Sequence, residues 1–252
     1  MNARHPLLLP LTLLLPLGAG CAGEGTWTAE VWGEGYIEEG IPAEVFADGC
    51  SARFSRFDLR VGTAAIDGGG EAGPFAVDLT TPGPQTLTSI DVAEGLYDEV
   101  SFGMSPGAAD GAVGAGLDAA GASLAVEGTL SCPSGPVGFA WAFDTAVTWT
   151  CAPDGLTIGK GGQGASQLTV HGGHLFYDGL EDPEAEVRGE ALVAADSDGD
   201  GDLTRAELQA AQVAPLGYTV GSHAEVSDLW AFLEVQTRSV GHIDGEGHCE
   251  VK

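Results

Sequence analysis

The segment "FSRFDLRV" (54–61) alternates strictly, with Phe57, Leu59 and Val61 on one side and Arg56, Asp58 and Arg60 on the other. Successive side chains of an extended strand point to opposite faces, so such a run reads as a strand with one face buried. The same period recurs in "PFAVDLTT" (Phe75, Val77, Leu79), "YDEVSFGM" (Val100, Phe102, Met104) and "ASLAVEGTL" (Leu124, Val126, Leu130). It recurs again in "VGFAWAFD" (Val137, Phe139, Trp141, Phe143) and "AVTWTC" (Val147, Trp149, Cys151). Turn-forming segments separate the runs: "DGGGEAGP", "TTPGPQ" and "SPGAADGAVGAG". With no helix of crossover length between them, residues 27–177 predict a mainly β domain, an antiparallel β-sandwich or barrel.

After Asp178 the pattern changes to helix formers. "EDPEAEVRGEALVAAD" (181–196) predicts a helix with proline near its first turn, Leu192 and Ala195 facing one way. "TRAELQAAQV" (204–213) predicts a second short helix. "SHAEVSDLWAFLEVQTRSVG" (222–241) predicts a third: Ser222 and Glu225 have capping-box spacing, Val226, Leu229, Trp230 and Leu233 share a face, and Gly241 ends it. The tail "GHIDGEGHCEVK" is polar, with a cysteine to tie it down.

The amino terminus reads as an export signal, with a basic "MNARHP" ahead of an apolar run that two prolines interrupt and that is too short to span a bilayer comfortably. It ends in "LGAGC", which resembles a bacterial lipobox. Leu17 stands four residues before the cysteine and Gly18 takes the usual leucine place, so ordinary signal-peptidase cleavage is the rival reading. The resemblance implies lipidation of Cys21 and a lipid-anchored protein in the outer membrane or facing the periplasm. Of the five cysteines, Cys50, Cys132, Cys151 and Cys249 then remain for two disulfides, with three pairings open. Cys132 and Cys151 each end an alternating run that a hairpin would bring together, so Cys132–Cys151 with Cys50–Cys249 is the expected pairing. No C-x-x-C spacing supports a cysteine metal cluster.

Acidic residues number 37 against 9 basic, for a formal net charge of −28. Such a surface repels phosphate backbones and anionic lipid heads, which excludes nucleic acid as a partner and leaves a lipid anchor as the only membrane attachment. Divalent cations are attracted. Apolar residues at 44 % supply a core. The physiological protein or small-molecule partner is not written in the sequence.

One stretch carries explicit metal chemistry. In "ADSDGDGDLTRAELQ" (195–209), carboxylates at Asp196, Asp198 and Asp200 alternate, Gly201 permits a sharp turn, and Glu207 closes the run. The segment 196–207 resembles an EF-hand calcium loop. Calcium takes 6–8 oxygens at about 2.3–2.6 Å. The resemblance implies side-chain oxygens from Asp196, Asp198 and Asp200, a backbone carbonyl from Asp202, a water held by Thr204 and two oxygens from Glu207. Leu203 would pack inward across a short β bridge. Helices are expected on both sides. No second loop occurs, and extracellular modules of this kind bind at around 10⁻⁴–10⁻³ M. Calcium is therefore read as mainly structural, a staple for the helical segment.

The histidines outside the leader are His171, His174, His223, His242 and His248, all after residue 170. Gathered imidazoles can bind copper or zinc. His171 and His174 are the candidates for a transition metal. In a regular strand they would point to opposite faces, and they converge only if Gly172-Gly173 forms a bulge or turn. The segments "GIPAEVFADGCSARFSRFDLRVG", "YDEVSFGMSPG", "VHGGHLFYDG" and "GHIDGEGHC" give the chain a resemblance to uncharacterised bacterial lipoproteins. More distantly, over roughly residues 27–249, the β layout and four cysteines resemble the MbnP-like four-Cys motif periplasmic proteins. That resemblance implies a β-rich fold and copper binding, with a di-haem protein as partner, but assigns no copper ligand to this chain.

Catalytic signals are weak. "GMSPG" (103–107) fits G-x-S-x-G, but Pro106 and a glycine-rich loop follow where a nucleophile elbow needs a helix. "GKGGQG" (159–164) lacks P-loop spacing and reads as a hairpin turn. The expectation is a non-enzyme: a signal peptide (1–20), a β-sandwich (21–177), an EF-hand insert (178–215), and a C-terminal helix with a disulfide-tied tail (216–252). Its function would be that of a calcium-binding surface or scaffold module, with copper or zinc handling through the histidines as the alternative.

Overall fold

The computed structural model describes residues 23–252, so the leader and Cys21 lie outside the described residues. In chain order the first half comprises β1 (Glu24–Trp32), α1 (Glu34–Glu38), β2 (Ser51–Ile66), β3 (Gly70–Ala72), β4 (Phe75–Asp78), β5 (Gln85–Ala93), β6 (Gly95–Tyr97), β7 (Val100–Met104) and α2 (Gly111–Ala120). There follow β8 (Leu124–Cys132), β9 (Gly135–Phe143), β10 (Val147–Cys151), β11 (Leu156–Ile158), β12 (Gln163–Val170) and a 3-10 turn (Gly172–Phe176). The last part holds α3 (Glu190–Val193), β13 (Asp202–Leu203), α4 (Arg205–Ala210), α5 (Leu229–Gln236), β14 (Gly241–Ile243) and β15 (Cys249–Val251).

The fold is mainly β. One large sheet has the order β14-β12-β1-β5; the other runs β13-β9-β8-β2-β7-β10-β15, with β3 and β4 also paired to β2, and β6 and β11 form a separate two-stranded ribbon. Both sheets have free ends, so the architecture is an open sandwich and not a barrel. Most pairings are antiparallel, but β1–β12 and β13–β9 are parallel. One apolar cluster joins the two sheets. Every face predicted from the alternation contributes to it: Phe57, Leu59, Phe102, Leu124, Val126, Phe143 and Trp149 are fully buried. The tail returns to the sandwich, β14 pairing with β12 and β15 with β10. Among the described residues no helix is long and apolar enough to cross a membrane.

Four expectations are corrected. The segment "SPGAADGAVGAG" is not all turn, because Gly111–Ala120 forms a ten-residue helix ended by Gly121 in the left-handed conformation. It covers the charged side of β2. Arg60 is 1 % exposed, pairs with Asp118 and faces the Gly114 carbonyl, so that side is not solvent. The glycines that made the segment read as loop permit this approach: a Cβ at Gly116 would lie 2.7 Å from Arg56 Nη2.

The helix expected over 181–196 shrinks to Glu190–Val193, preceded by turns and a β bridge between Tyr177 and Val187. Asp182 caps the Glu184 N–H, starting a turn where a helix would begin. Leu192 and Ala195 are nevertheless buried. The third helix starts at Leu229 under an Asp228 cap, not at Ser222, and ends at Gln236. The Ser222 hydroxyl donates to Glu181 instead. Val226, Leu229, Trp230 and Leu233 are all buried.

The disulfides are Cys50–Cys132 and Cys151–Cys249, which overturns Cys132–Cys151 with Cys50–Cys249. The reason is strand order. β8 and β10 are not neighbours: β8 lies between β9 and β2, and β10 between β7 and β15. Ser51 faces Ser131, which sets Cys50 beside Cys132, and Cys151 faces Cys249 directly.

Candidate metal centres

The acidic loop follows α3. Asp48, from a distant part of the chain, accepts the Gly189 and Glu190 N–H groups at 2.7 and 2.9 Å and so caps that short helix. Within the loop the carboxylates organise the backbone. Asp196 accepts from Gly199 and Gly201, Asp198 from Asp200, and Asp200 from Asp202. Gly199 and Gly201 have φ of 70° and 86°, conformations that suit glycine. Thr204 caps α4 in a reciprocal capping box with Glu207. Hydrogen bonds from the Thr204 backbone and hydroxyl and from the Ser197 N–H bring the Glu207 pKa down to about 2, so this carboxylate is ionised at neutral pH.

Oxygens of Asp196, Asp198 and Glu207 lie within 4.8 Å of one another. Asp200 and Asp202 add no carboxylate to that group, and the Thr204 hydroxyl donates to Glu207 Oε2 at 2.8 Å. The loop is docked on the fold through its short strand: Asp202–Leu203 pairs with Gly138 and Phe139 at the edge of the large sheet. Gly138 N–H donates to the Gly201 carbonyl at 2.7 Å, and Trp141 Nε1 donates to the Leu203 carbonyl at 3.0 Å. Leu203 is buried. The expected inward β bridge is present, made to a sheet edge in place of a second loop. Behind it, the Arg205 guanidinium sits 4.5 Å over the Trp230 ring, which stacks on Phe143.

The histidines form a second centre. β12 ends at Val170, and the 3-10 turn through Gly172-Gly173 brings His174 back onto His171, ring centroids 5.3 Å apart and stacked. β14 adds His242, whose ring is 4.6 Å from His171 and 5.2 Å from His174. His248 lies 5.9 Å from His242, on the exposed side, while His223 pairs with Glu181 and Glu225 elsewhere. Donor atoms of His171, His242 and Glu246 lie within 4.8 Å of one another. Sequence reasoning singled out His171 and His174 but not the gathering of His242, Glu246 and Glu34 beside them. The available signal was the second histidine pair in the tail.

Ring environments differ. Burial drives the His174 pKa down to about 4, with His171 and His242 adding to the effect. Burial likewise lowers His242, helped by His171. At His171 burial works against the charged form, but Glu34, the Gly245 carbonyl and Glu246 outweigh it and raise the pKa. The third close grouping, Cys50, Cys132 and Glu190, offers no thiolate because its cysteines are disulfide-bonded.

No family model matches the chain, and comparison with curated proteins and with solved structures gives no match. Neither the EF-hand nor the MbnP-like resemblance gains support there, so the functional reading rests on the residues themselves.

Proposed function

We propose that the chain is an exported, lipid-anchored calcium-binding protein with a single EF-hand, in which calcium is mainly structural and the sandwich acts as a surface binding or scaffold module. The observation that carries the reading is the docking of Leu203 onto the edge strand β9, next to three carboxylates within 4.8 Å of one another. Calcium would neutralise a turn whose Asp196, Asp198, Asp200 and Glu207 repel one another, and so hold β13 against the sheet.

Calorimetric titration of the purified protein should give one calcium site, with Kd around 10⁻⁴–10⁻³ M as in extracellular modules. Glu207→Gln removes the closing ligand and should leave no measurable heat across the same range. Absence of calcium heat in the unmodified protein would sink the proposal.

A further inference from the structure

We propose that His171, His242 and Glu246, with His174 beside them, form a binding site for one divalent transition ion of zinc's class, separate from the calcium loop. The fold delivers these residues from different parts of the chain. β1 and β12 run parallel and end together, so Glu34 follows one and His171 the other. β14 pairs with β12 so that His242 faces Thr169, and the turn after it carries Glu246.

Several observations distinguish this cluster from a chance meeting of histidines. Metal-bound imidazoles use one nitrogen for the ion and give the other N–H to a carbonyl or carboxylate. His174 Nδ1 lies 2.8 Å from the Ser239 carbonyl, which fixes its proton there and leaves Nε2 with a lone pair. His171 has an acceptor on each side, the Gly245 carbonyl 3.1 Å from Nε2 and Glu34 Oε2 3.4 Å from Nδ1. An ion bound at one nitrogen displaces the acceptor there, and the acceptor on the other side holds the remaining N–H.

Two buried polar atoms here have no partner, His242 Nδ1 and Glu34 Oε1. Buried groups of this kind are normally satisfied, and an unsatisfied one points to an absent ligand or water. Among the described residues three non-glycine residues have positive φ, and two of them, Glu34 and Asp244, flank this cluster, each at 49°. Backbone held in that region gathers at functional sites.

The donor set selects the ion. Imidazole with one carboxylate suits zinc and its neighbours, whereas calcium takes oxygen alone. The adjacent Cys249 is disulfide-bonded to Cys151 and offers no thiolate. Among the described residues no lysine or arginine forms an ion pair with Glu34 or Glu246, so a divalent ion would balance both carboxylates.

The test is titration of chelator-treated protein with zinc chloride in excess calcium, which fills the acidic loop and suppresses weak surface binding. The expected result is one saturable equivalent of zinc, and a cobalt(II) spectrum of tetrahedral nitrogen–oxygen ligation. His171→Gln and His242→Gln should each weaken binding by more than about tenfold, the scale at which even residues behind the ligands act. His223→Ala and Glu207→Gln should leave it unchanged, the latter separating this site from the calcium reading. Thermal melts of every variant, and calcium titration of the histidine variants, verify that the fold is intact. No saturable zinc in the unmodified protein, or full binding retained in both histidine variants, overturns the proposal.

Discussion

Replacing Cys50 and Cys132 together by alanine is expected to lower the melting temperature by roughly 9–18 °C, measured by scanning calorimetry. The crosslink spans 82 residues. Closing a loop of that length removes about 4.5 kcal/mol of unfolded-state entropy, and each kcal/mol moves the midpoint by roughly 2–4 °C in a chain of this size. The effect should extend to calcium. A Cβ on Gly189 would lie 2.8 Å from Cys50 Sγ, so the segment entering the acidic loop is threaded directly over this disulfide. Calcium affinity in the double variant should therefore fall as well. The pairing has its own check: in Cys50→Ala the newly alkylated thiol should be Cys132. Recovery of Cys249 in its place, or a midpoint unchanged on removing both cysteines, would refute the assignment.

That disulfide also marks what the sequence could and could not reveal. Side-chain alternation is a local property, so the buried face of each quoted strand was legible, down to Trp141 and Phe143. The acidic loop was legible because its spacing is local too, as was the dependence of the His171–His174 meeting on Gly172-Gly173. Strand order is not local. The expected Cys132–Cys151 link assumed that consecutive alternating runs ending in cysteine are neighbours, but β9 intervenes and takes the place beside β8. The parallel β1–β12 pairing, which brings Glu34 to His171, joins segments more than a hundred residues apart and leaves no local trace. The helix Gly111–Ala120 was hidden for a different reason. Gly111, Gly114 and Gly116 lower its intrinsic propensity, and what stabilises it is tertiary: Leu117 is fully buried and Asp118 pairs with Arg60.

Trp141 is where the acidic loop and the core meet, and two substitutions there should separate packing from coupling. Its indole is 2 % exposed and stacks on Phe139 with centroids 4.6 Å apart. Trp141→Ala should cost about 3–5 kcal/mol, the usual loss for a buried tryptophan, and lower the midpoint by roughly 6–20 °C. Trp141→Phe keeps most of the ring but removes the Nε1 donor to the Leu203 carbonyl, a net loss of about 0.5–1.5 kcal/mol. If calcium works by holding β13 against β9, the phenylalanine variant should bind it more weakly, because the strand that the ion fixes has lost one of its anchors. Calcium at ten times its Kd should add about 1.4 kcal/mol to the unmodified protein. That increment should shrink in Trp141→Phe and vanish in Glu207→Gln. Fluorescence gives an independent reading, since the difference in emission between unmodified and Trp141→Phe protein isolates this indole among five. Its spectrum should shift on adding calcium. A Trp141 signal indifferent to calcium, with an unchanged stability increment in the phenylalanine variant, would mean that the ion organises the loop alone and leaves the sheet edge to itself.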